Sequence, residues 1–324
     1  MLELRRLVKN YPAQAGFWSA DQISALDDVS LHIEAGQTLG LVGESGSGKS
    51  TLGRCALLLE RPTSGDVLFE GTSLVSLGAG QLRRMRRQMQ VVFQDPYGSL
   101  NPRMRVEKIL AEPFQIHEQL SRREISSKVP ELLATVGLPA DAAKRYPHEF
   151  SGGQRQRIGI ARALALRPKF IVADEPVSAL DVSVGAQIVN LLADLQQQFG
   201  LTYLFISHSL PVVRHISARV AVMYLGRLCE IGPTEAIFDR PLHPYTVLLR
   251  RSTPDLSGSA NLKSKIFNLQ SGEAPSAVRP PSGCRFRTRC PLAQPRCAEE
   301  TPPLRELEPG HLTACHYADQ VGVL

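Results

Sequence analysis

The chain has 324 residues, 43% hydrophobic and 21% charged, which is enough apolar material for a substantial core and a smaller annex. No window approaches the ~18 to 20 uninterrupted apolar residues that span a bilayer, and the start MLELRRLVKNYP lacks the apolar stretch of a signal peptide, so we expect a cytosolic protein, free or held at a membrane by another protein. A net charge of +6 is a modest basic excess, and six cysteines in a reducing compartment argue against a disulfide framework and for buried thiols or a metal site.

The first predicted elements are two short strands, Val29 to Ile33 and Thr38 to Val42, separated by the turn EAGQ. The second strand runs directly into the glycine-rich segment GESGSGKST. A helix is predicted after it, with an apolar face that consists of Leu52, Ala56, Leu57 and Leu59.

Strands and helices then alternate along the chain. Asp66 to Phe69 is predicted as a strand, and the Arg-rich segment QLRRMRRQM leads into the strand QVVF, which ends at Gln94. The segments KFIVADEP, TYLFISH and RVAVMYLGRLCEIG are each predicted as a strand, with the helix AQIVNLLADLQQQFG between the first two. This alternation predicts an α/β fold with a mostly parallel sheet.

Two departures from this pattern divide the chain. From Pro102 to Lys144 the sequence predicts helices, which we interpret as a helical lobe, about residues 95–160, inserted into the α/β core. Past about Arg251 the composition turns to Ser, Pro and Gly, and four of the six cysteines lie there. We therefore predict one large domain over residues 1–250 and a small second domain over residues 251–324, with no internal repeat.

A phosphate-binding loop is predicted where the second strand ends. The segment fits G-x-x-x-x-G-K-[ST] between a strand and a helix, which is the context that this motif requires. Its glycines let backbone N–H groups surround phosphate oxygens at the positive end of the helix. Lys49 is predicted to reach the β- and γ-phosphates, and the Ser50 hydroxyl is predicted to coordinate Mg²⁺. The candidate nucleotide-binding residues of this loop are Gly43, Glu44, Ser45, Gly46, Ser47, Gly48, Lys49, Ser50 and Thr51.

Four polar residues follow apolar strands and are candidates for chemistry on a phosphate. In IVADEP, Asp174 and Glu175 point to opposite sides, so that Asp174 serves a metal and Glu175 activates a water molecule. Gln94 follows VVF and His208 follows YLFIS, which places both near the carboxyl edge of a parallel sheet. From the residues alone two structural alternatives stay open, the acidic pair as a cap of the strand-to-loop turn and His208 as a structural histidine.

Together these residues resemble the ATP-binding cassette of ABC transporters over about residues 1 to 250, in the order GESGSGKST, Gln94, SGGQ, VADEP, SALD and His208. The resemblance implies a P-loop NTPase fold with an inserted helical lobe and an N-terminal antiparallel β subdomain. It implies that two cassettes close head to tail on two Mg·ATP, with Gln94 and Asp174 joining Ser50 around Mg²⁺. The further residues that it implies are Tyr11 stacking on adenine, Ser151, Gly153 and Gln154 binding the nucleotide of the partner cassette, and Asp181 linking the cassettes.

Neighbouring segments narrow the resemblance. TLGRCALLLERPTSGDVLFEG, VVFQDPYGSLNPRMRV, YPHEFSGGQRQR and PLHPYT are similar to the ATP-binding subunits of dipeptide and oligopeptide importers, a group that also includes nickel and glutathione systems. STLGR and the long C-terminal segment favour the F-type member of an unlike pair. The resemblance implies a D-type second cassette, two transmembrane permease subunits and a periplasmic solute-binding protein as partners, with Asp95 to Arg105 touching the permease. It also implies a peripheral position on the cytoplasmic face of the inner membrane.

The four C-terminal cysteines share the spacing C-x5-C-x6-C-x17-C and are Cys284, Cys290, Cys297 and Cys315. This is neither the pairing of a zinc ribbon nor a ferredoxin run, so the spacing alone leaves metal binding and unligated thiols open. The importer resemblance implies a [4Fe–4S] cluster on the four thiolates, with Zn²⁺ as the alternative. Cys55, in the helix after the phosphate loop, and Cys229, in an apolar strand, are predicted core residues.

Three other classes of protein share some of these features. The run RRMRR, Arg83 to Arg87, suits an ABC ATPase that acts on nucleic acid, but such runs are usually solvated helix faces, and the long coiled-coil insertion of DNA-repair members is not in the sequence. A P-loop GTPase or small-molecule kinase does not explain SGGQ together with SALD. A non-enzymatic Fe–S module leaves the first part of the chain unexplained. We therefore predict an ATP-hydrolysing subunit of a di- or oligopeptide importer, without a nucleic-acid partner.

Overall fold

The computed structural model describes residues 1–12, 22–95, 97–118, 120–252, 278 and 280–323, and most of the predicted linker after Arg251 lies outside them. The chain divides into two compact units. The first unit consists of Met1–Leu2, Ile33–Thr38 and Phe69–Ser207, and the second of Glu3–His32, Leu39–Leu68 and His208–Leu324. In the described part of the chain, no helix has the length and apolar character needed to cross a bilayer.

The elements of the described ranges are named here in chain order. The strands are β1 (Leu2–Pro12), β2 (Gln22–Ile33), β3 (Thr38–Val42), β4 (Ser64–Phe69), β5 (Thr72–Ser73), β6 (Met89–Val92), β7 (Phe170–Asp174), β8 (Thr202–Ile206), β9 (Arg219–Tyr224), β10 (Arg227–Pro233), β11 (Arg305–Glu308) and β12 (His311–Thr313). The helices are α1 (Lys49–Ala56), α2 (Ala79–Met85), α3 (Val106–His117), α4 (Arg122–Thr135), α5 (Gly152–Leu164), α6 (Val182–Phe199), α7 (Leu210–Ile216), α8 (Thr234–Asp239), α9 (Pro244–Arg251) and α10 (Arg296–Glu299).

The sheet of the first unit has the strand order β8-β7-β6 and is parallel throughout. Its register pairs Met89 with Phe170 and Phe170 with Thr202. All five residues of β8 and the first four of β7 are buried, as expected for parallel strands that are covered on both faces. The predicted strands in QVVF, KFIVADEP and TYLFISH are confirmed, and the predicted helix between the last two is α6.

The predicted helical lobe is present in the first unit as α3 and α4, which pack on each other and on α5. Its core is a cluster of buried residues, Ala111, Phe114, Ile125 and Ala165. Helix α4 begins at a capping box, in which Ser121 Oγ accepts from the Glu124 N–H and Glu124 accepts from the Ser121 N–H. The lobe is therefore a layer of amphipathic helices that packs on α5 rather than an extension of the sheet.

The sheet of the second unit has the order β11-β12-β10-β9-β3, in which β3 and β9 are parallel and the other neighbours antiparallel. The prediction of one strand over RVAVMYLGRLCEIG is wrong, because the chain reverses between β9 and β10. Leu225 and Gly226 adopt positive φ angles of 44° and 82°, which match a two-residue hairpin turn. The sheet is therefore mixed rather than parallel in this unit.

The N-terminal strands β2, β1 and β4 are neighbours in that order in a separate antiparallel sheet. Helix α1 is shorter than predicted, since it ends at Ala56 and Leu57 is its C-cap. Leu58 takes a φ of 49°, and the Arg54 carbonyl oxygen accepts from the Leu59 N–H, so the chain leaves the helix there. Leu59 is 48% exposed and does not belong to the predicted apolar face.

A buried acid joins the C-terminal hairpin to β10. The Glu230 carboxylate is fully buried, lies 2.7 Å from Nε2 of His311 on β12, and accepts from the N–H groups of Leu242 at 2.6 Å and His243 at 3.1 Å. Both oxygens of this carboxyl group therefore have partners, as burial of a polar group requires.

Candidate nucleotide site

The glycines of the phosphate loop are required by its backbone shape. Gly43 and Gly48 adopt positive φ angles of 155° and 104°. A Cβ on Gly43 would lie 2.1 Å from the Met223 carbonyl oxygen, and one on Gly48 would lie 2.3 Å from that of Ala25. A Cβ on Gly46 would meet nothing within 4 Å, because this side of the loop is open. The loop is therefore packed against neighbouring backbone at Gly43 and Gly48 and open at Gly46.

Lys49 is folded against the loop that precedes it. Its side chain is 5% exposed, and its Nζ donates to the carbonyl oxygens of Gly43 at 2.8 Å and Glu44 at 2.9 Å. Helix α1 begins at Lys49 with Gly48 as N-cap, without a side-chain cap and without an acidic residue in its first turn. An ammonium group, an open glycine cradle and an uncapped helix start fit the phosphates of a nucleotide, and the Ser50 and Thr51 hydroxyls are oxygen ligands of the kind that Mg²⁺ takes.

In the first unit, two predicted catalytic residues are in direct contact. Gln94 Nε2 donates to Glu175 Oε2 at 3.0 Å. Glu175 has a positive φ of 46°, and its N–H donates to the Ile206 carbonyl oxygen at 2.9 Å. Asp174, the last residue of β7, is half-buried beside it. The strand end therefore holds two carboxylates and one amide.

His208 lies two residues after the end of β8 and is exposed. It belongs to the second unit, as do Lys49 and Ser50, whereas Gln94 and Glu175 belong to the first. The joint action of these two groups of residues on one nucleotide stays a prediction.

The segment SGGQ forms the N-terminus of α5. Ser151 Oγ accepts from the Gln154 N–H at 3.3 Å, and the Ser151 N–H donates to the Gln154 side chain at 3.0 Å, which is a capping box. Both side chains are exposed. Gly153 is buried against α6, since a Cβ there would lie 2.3 Å from Val184 Cγ1. The capping box presents the Ser and Gln at the surface while the glycine anchors the turn.

Two further features border this segment. Gln156, 1% exposed, donates from Nε2 to the Phe93 carbonyl oxygen at 3.3 Å and so connects α5 to the residue before Gln94. Sequence reasoning missed Gln156, whose only signal is a polar residue on the apolar face of the helix. Asp181 is the exposed N-cap of α6, and Val182, which follows it, is 92% exposed.

Tyr11, at the end of β1, is half-buried. Its hydroxyl donates to Glu60, which also pairs with Arg54 at 3.2 Å. Burial raises the pKa of the Tyr11 phenol, with the Glu60 carboxylate acting in the same direction. The Lys9 ammonium lies 5.0 Å from the ring centroid, over the ring face. Stacking of adenine on this ring stays a prediction.

Comparison with known proteins decides the family. A model described as "ABC transporter" matches residues 26–178, and one described as "Oligopeptide/dipeptide transporter, C-terminal region" matches residues 229–297. The chain is 52% identical to the oligopeptide transport ATP-binding protein AppF of Bacillus subtilis (strain 168), over 98% of this chain and 97% of that protein. The chain belongs to the ABC transporter family.

Solved structures agree with this assignment. The ATP-binding cassette MJ0796, dimeric in a post-hydrolysis state with ADP and Pi, is 31% identical with a TM-score of 0.64 and covers 72% of this chain and 99% of its own. CbiO1 of Clostridium perfringens, part of the ABC transporter complex cbiONQ, is 27% identical with a TM-score of 0.64 and covers 77% of this chain and 94% of its own. The predicted P-loop NTPase fold is thereby confirmed.

As an ABC cassette, the chain hydrolyses ATP with Mg²⁺, and the family implies permease partners in the membrane and a partner ATPase. Mg²⁺ bound with ATP neutralises charge on the transferred phosphoryl group. The assignment excludes the GTPase, kinase and non-enzymatic alternatives. The domain limits predicted at residues 1–250 and 251–324 stay a prediction.

The prediction of a [4Fe–4S] cluster on the C-terminal cysteines is wrong. Among the described residues, which include all four, no group of three or more His, Cys, Asp or Glu side chains is arranged to hold a metal. The cavity that the four cysteines line has a volume of about 10 Å³, which is room for about one water molecule. Burial raises the pKa of the Cys290 thiol to about 12 and that of the Cys315 thiol to about 11.

The other two cysteines are core residues, as predicted. Cys55 is fully buried in α1 and Cys229 is 7% exposed in β10. Burial raises the pKa of the Cys55 thiol to about 11 and raises that of Cys229 as well. Both act as small apolar side chains.

Proposed function

We propose that this chain is the ATP-hydrolysing subunit of an importer that takes up di- and oligopeptides across the cytoplasmic membrane. The supporting observation is its 52% identity to an oligopeptide transport ATP-binding protein along 98% of the chain, together with the match of residues 229–297 to the oligopeptide/dipeptide transporter C-terminal region. The C-terminal match separates this group from ABC cassettes in general.

In this proposal the phosphate loop binds ATP. Lys49 leaves its carbonyl partners in the loop, or shares its three donors with them, to contact the β- and γ-phosphates. The hydroxyl of Ser50 and the side chains of Gln94 and Asp174 hold Mg²⁺ through oxygen atoms. Tyr11 stacks on the adenine ring.

Glu175 orients the attacking water molecule as general base. Its contact with Gln94 supports this role, because the amide fixes the carboxylate without neutralising it. His208, exposed after β8, contacts the γ-phosphate together with Gln94. Neutralisation and orientation of this kind account for most of the catalysis in phosphoryl transfer.

Each nucleotide is shared between two cassettes. Ser151, Gly153 and Gln154 bind the γ-phosphate of ATP that the partner cassette holds, and the exposure of both polar side chains at the start of α5 supports this. Asp181 links the cassettes, and the exposed Val182 beside it supports an interface there. The partner is a D-type paralogue.

The segment Asp95 to Arg105 contacts the permease, so that closing and reopening of the cassettes moves two transmembrane subunits. Phe93, 42% exposed, lies two residues before this segment and Tyr97, 55% exposed, lies within it, and both supply apolar surface for such a contact. The chain is thereby held peripherally on the cytoplasmic face, and a periplasmic solute-binding protein delivers the solute.

The test is ATP hydrolysis by the complex of this chain with its partner ATPase and permeases in lipid vesicles. We expect stimulation by a solute-binding protein loaded with di- or oligopeptides. Stimulation by nickel or glutathione instead would assign the complex to another solute of the same group. Stimulation by DNA or RNA without permeases would overturn the importer assignment.

A further inference from the structure

Arg289, in the C-terminal part of the chain, forms an ion pair with a residue of the phosphate loop. Arg289 Nη1 lies 2.9 Å from Oε2 of Glu44, and its Nη2 lies 3.1 Å from Oε1 of the same carboxylate. The side chains are 11% and 29% exposed, so the pair is shielded from solvent. Glu44 is the second residue of GESGSGKST. Bidentate pairing of this kind fixes both partners in one plane and is stronger than a single charged contact.

Two aromatic rings pack against the Arg289 guanidinium beside its contact with Glu44. Its central carbon lies 5.9 Å from the ring centroid of Tyr224 and 5.8 Å from that of Phe286. Nη1 also donates to the Tyr224 hydroxyl at 3.4 Å. The bond to Glu44 raises the pKa of Arg289, which is charged at every physiological pH. Arg289 is therefore a fixed cation aimed at the loop.

The backbone of Glu44 is held from the same side. Its N–H donates to the hydroxyl of Tyr245 at 2.8 Å. Tyr245 is fully buried near the start of α9, where its own N–H donates to His243 Nδ1 at 3.0 Å. Its ring lies 4.6 Å from that of Tyr224, centroid to centroid. Both the side chain and the peptide group of Glu44 are thus fixed by residues outside the loop.

From Glu44 the contact continues to the lysine that binds phosphate. The Glu44 carbonyl oxygen accepts from Lys49 Nζ at 2.9 Å, and that of Gly43 accepts from it at 2.8 Å. The loop between them closes through the Ser47 N–H, which donates to the Glu44 carbonyl oxygen at 3.2 Å. A shift of Glu44 therefore moves both the acceptor of the Lys49 ammonium and the turn that contains the glycines.

The burial of Arg289 is not optimal for stability alone. Its Nε is buried and has no hydrogen-bond partner among the described residues, which leaves a desolvated donor in the interior. The guanidinium is turned so that both Nη groups face Glu44, at the expense of Nε.

We propose that Arg289 is a positioning residue for ATP hydrolysis, which acts through Glu44 to hold the phosphate loop in the shape that presents Lys49 to the phosphates. The inference rests on the ATP hydrolysis of this chain and not on the identity of the solute. Arg289 does not itself touch the nucleotide. The C-terminal segment thereby controls the catalytic loop from a distance in sequence of 245 residues.

The test compares variants of the full-length chain purified with its partner subunits. We expect Arg289→Met and Glu44→Gln each to lower kcat/KM for ATP at least about tenfold, because small displacements of positioned groups carry large rate penalties. Because both changes break one contact, the double variant should be no slower than the slower single variant. Arg289→Lys, which keeps the charge but not the bidentate bond, should fall between wild type and Arg289→Met.

Arg287→Met is the matched control. Arg287 lies in the same segment and donates to the Ser282 carbonyl oxygen at 2.9 Å, so its loss removes an arginine contact without touching the loop. We expect its kcat/KM to stay within about twofold of wild type.

Should Arg289→Met retain wild-type kcat/KM, or should the effects of Arg289→Met and Glu44→Gln multiply, the proposal is overturned. If Arg289→Met does not fold, the kcat/KM of Glu44→Gln decides the question, because Glu44 is the residue of the phosphate loop through which Arg289 acts. Absence of ATPase in the wild-type complex would instead overturn the proposed function itself.

Discussion

Gln94 and Glu175 are joined by a hydrogen bond of 3.0 Å from the amide Nε2 to the carboxylate Oε2. Glu175 is also fixed through its backbone, at a φ of 46° and with its N–H bound to the Ile206 carbonyl oxygen. A left-handed φ at a residue with a side chain costs about 1–3 kcal/mol and persists only where the surroundings enforce it. The backbone of Glu175 is therefore fixed, and its carboxylate accepts from the Gln94 amide, which suits the proposed role of orienting a water molecule.

The first prediction concerns Glu175 as the proposed general base. Glu175→Gln removes the proton acceptor but keeps the shape of the side chain, so we expect turnover to fall by a factor of about 10² to 10⁴. ATP binding and the ATP-dependent association of cassettes should persist. Steady-state ATPase assays and size-exclusion chromatography with Mg·ATP measure the two effects.

Glu131→Gln is the control for this variant, because Glu131 is an exposed glutamate on α4 whose side chain has no place in the proposed mechanism. It should hydrolyse ATP at the wild-type rate. Wild-type turnover by Glu175→Gln would remove Glu175 from the role of general base.

The second prediction is a change of pH dependence. Gln94→Glu places a second carboxylate within hydrogen-bond distance of Glu175, and two carboxylates at such a distance raise the pKa of one of them. Since the general base must be ionised, the acid limb of the pH–rate profile should move to higher pH. Gln94→Ala should lower kcat without moving that limb. Identical profiles for the two variants would contradict the contact.

The third prediction concerns the tight contact between Gly153, in the segment SGGQ, and Val184 on α6. Gly153→Ala brings a Cβ to 2.3 Å from Val184 Cγ1, so either α5 or Val184 must shift. Overpacking of this kind costs about 1–3 kcal/mol, which should lower the thermal midpoint. The double variant with Val184→Ala creates room for the new methyl group and should recover most of that loss. Equal thermal midpoints for the single and double variants would show that the contact with Val184 does not cause the loss of stability.

The nucleotide motifs could be predicted from sequence because each depends on a few residues in a short segment. The phosphate loop needs glycine at Gly43 and Gly48 for its φ angles, and the strand before it is uniformly buried. Similarly, Ser151 and Gln154 form a local capping box, which the pattern S-x-x-Q predicts. Local rules of backbone geometry are therefore sufficient to predict these residues of the site.

What could not be predicted depends on contacts between distant segments. Arg289 has no local signal, because its partner Glu44 is far away in the sequence. The hairpin turn at Leu225 and Gly226 could not be predicted because the residues on both sides of it are apolar and the turn contains one glycine, so the segment has the pattern of one continuous strand. The cysteine spacing suggested a cluster, yet whether four thiols can surround a metal is decided by tertiary packing, which here leaves a cavity the size of a water molecule.

The last prediction concerns the buried acid of β10. Glu230→Gln keeps the size of the side chain but turns one acceptor oxygen into an NH₂ group that faces the backbone N–H of Leu242 or that of His243. A buried donor without an acceptor costs about 1–3 kcal/mol, so the urea midpoint should fall with little change in slope. Glu299→Gln, at an exposed position on α10, should leave the midpoint unchanged. If both variants unfold at the wild-type midpoint, the carboxylate of Glu230 does not hold the C-terminal hairpin on β10. Because the Tyr245 N–H donates to His243 Nδ1 two residues earlier, a lower midpoint accompanied by a higher KM for ATP would show that this buried acid also supports the contact between Tyr245 and Glu44.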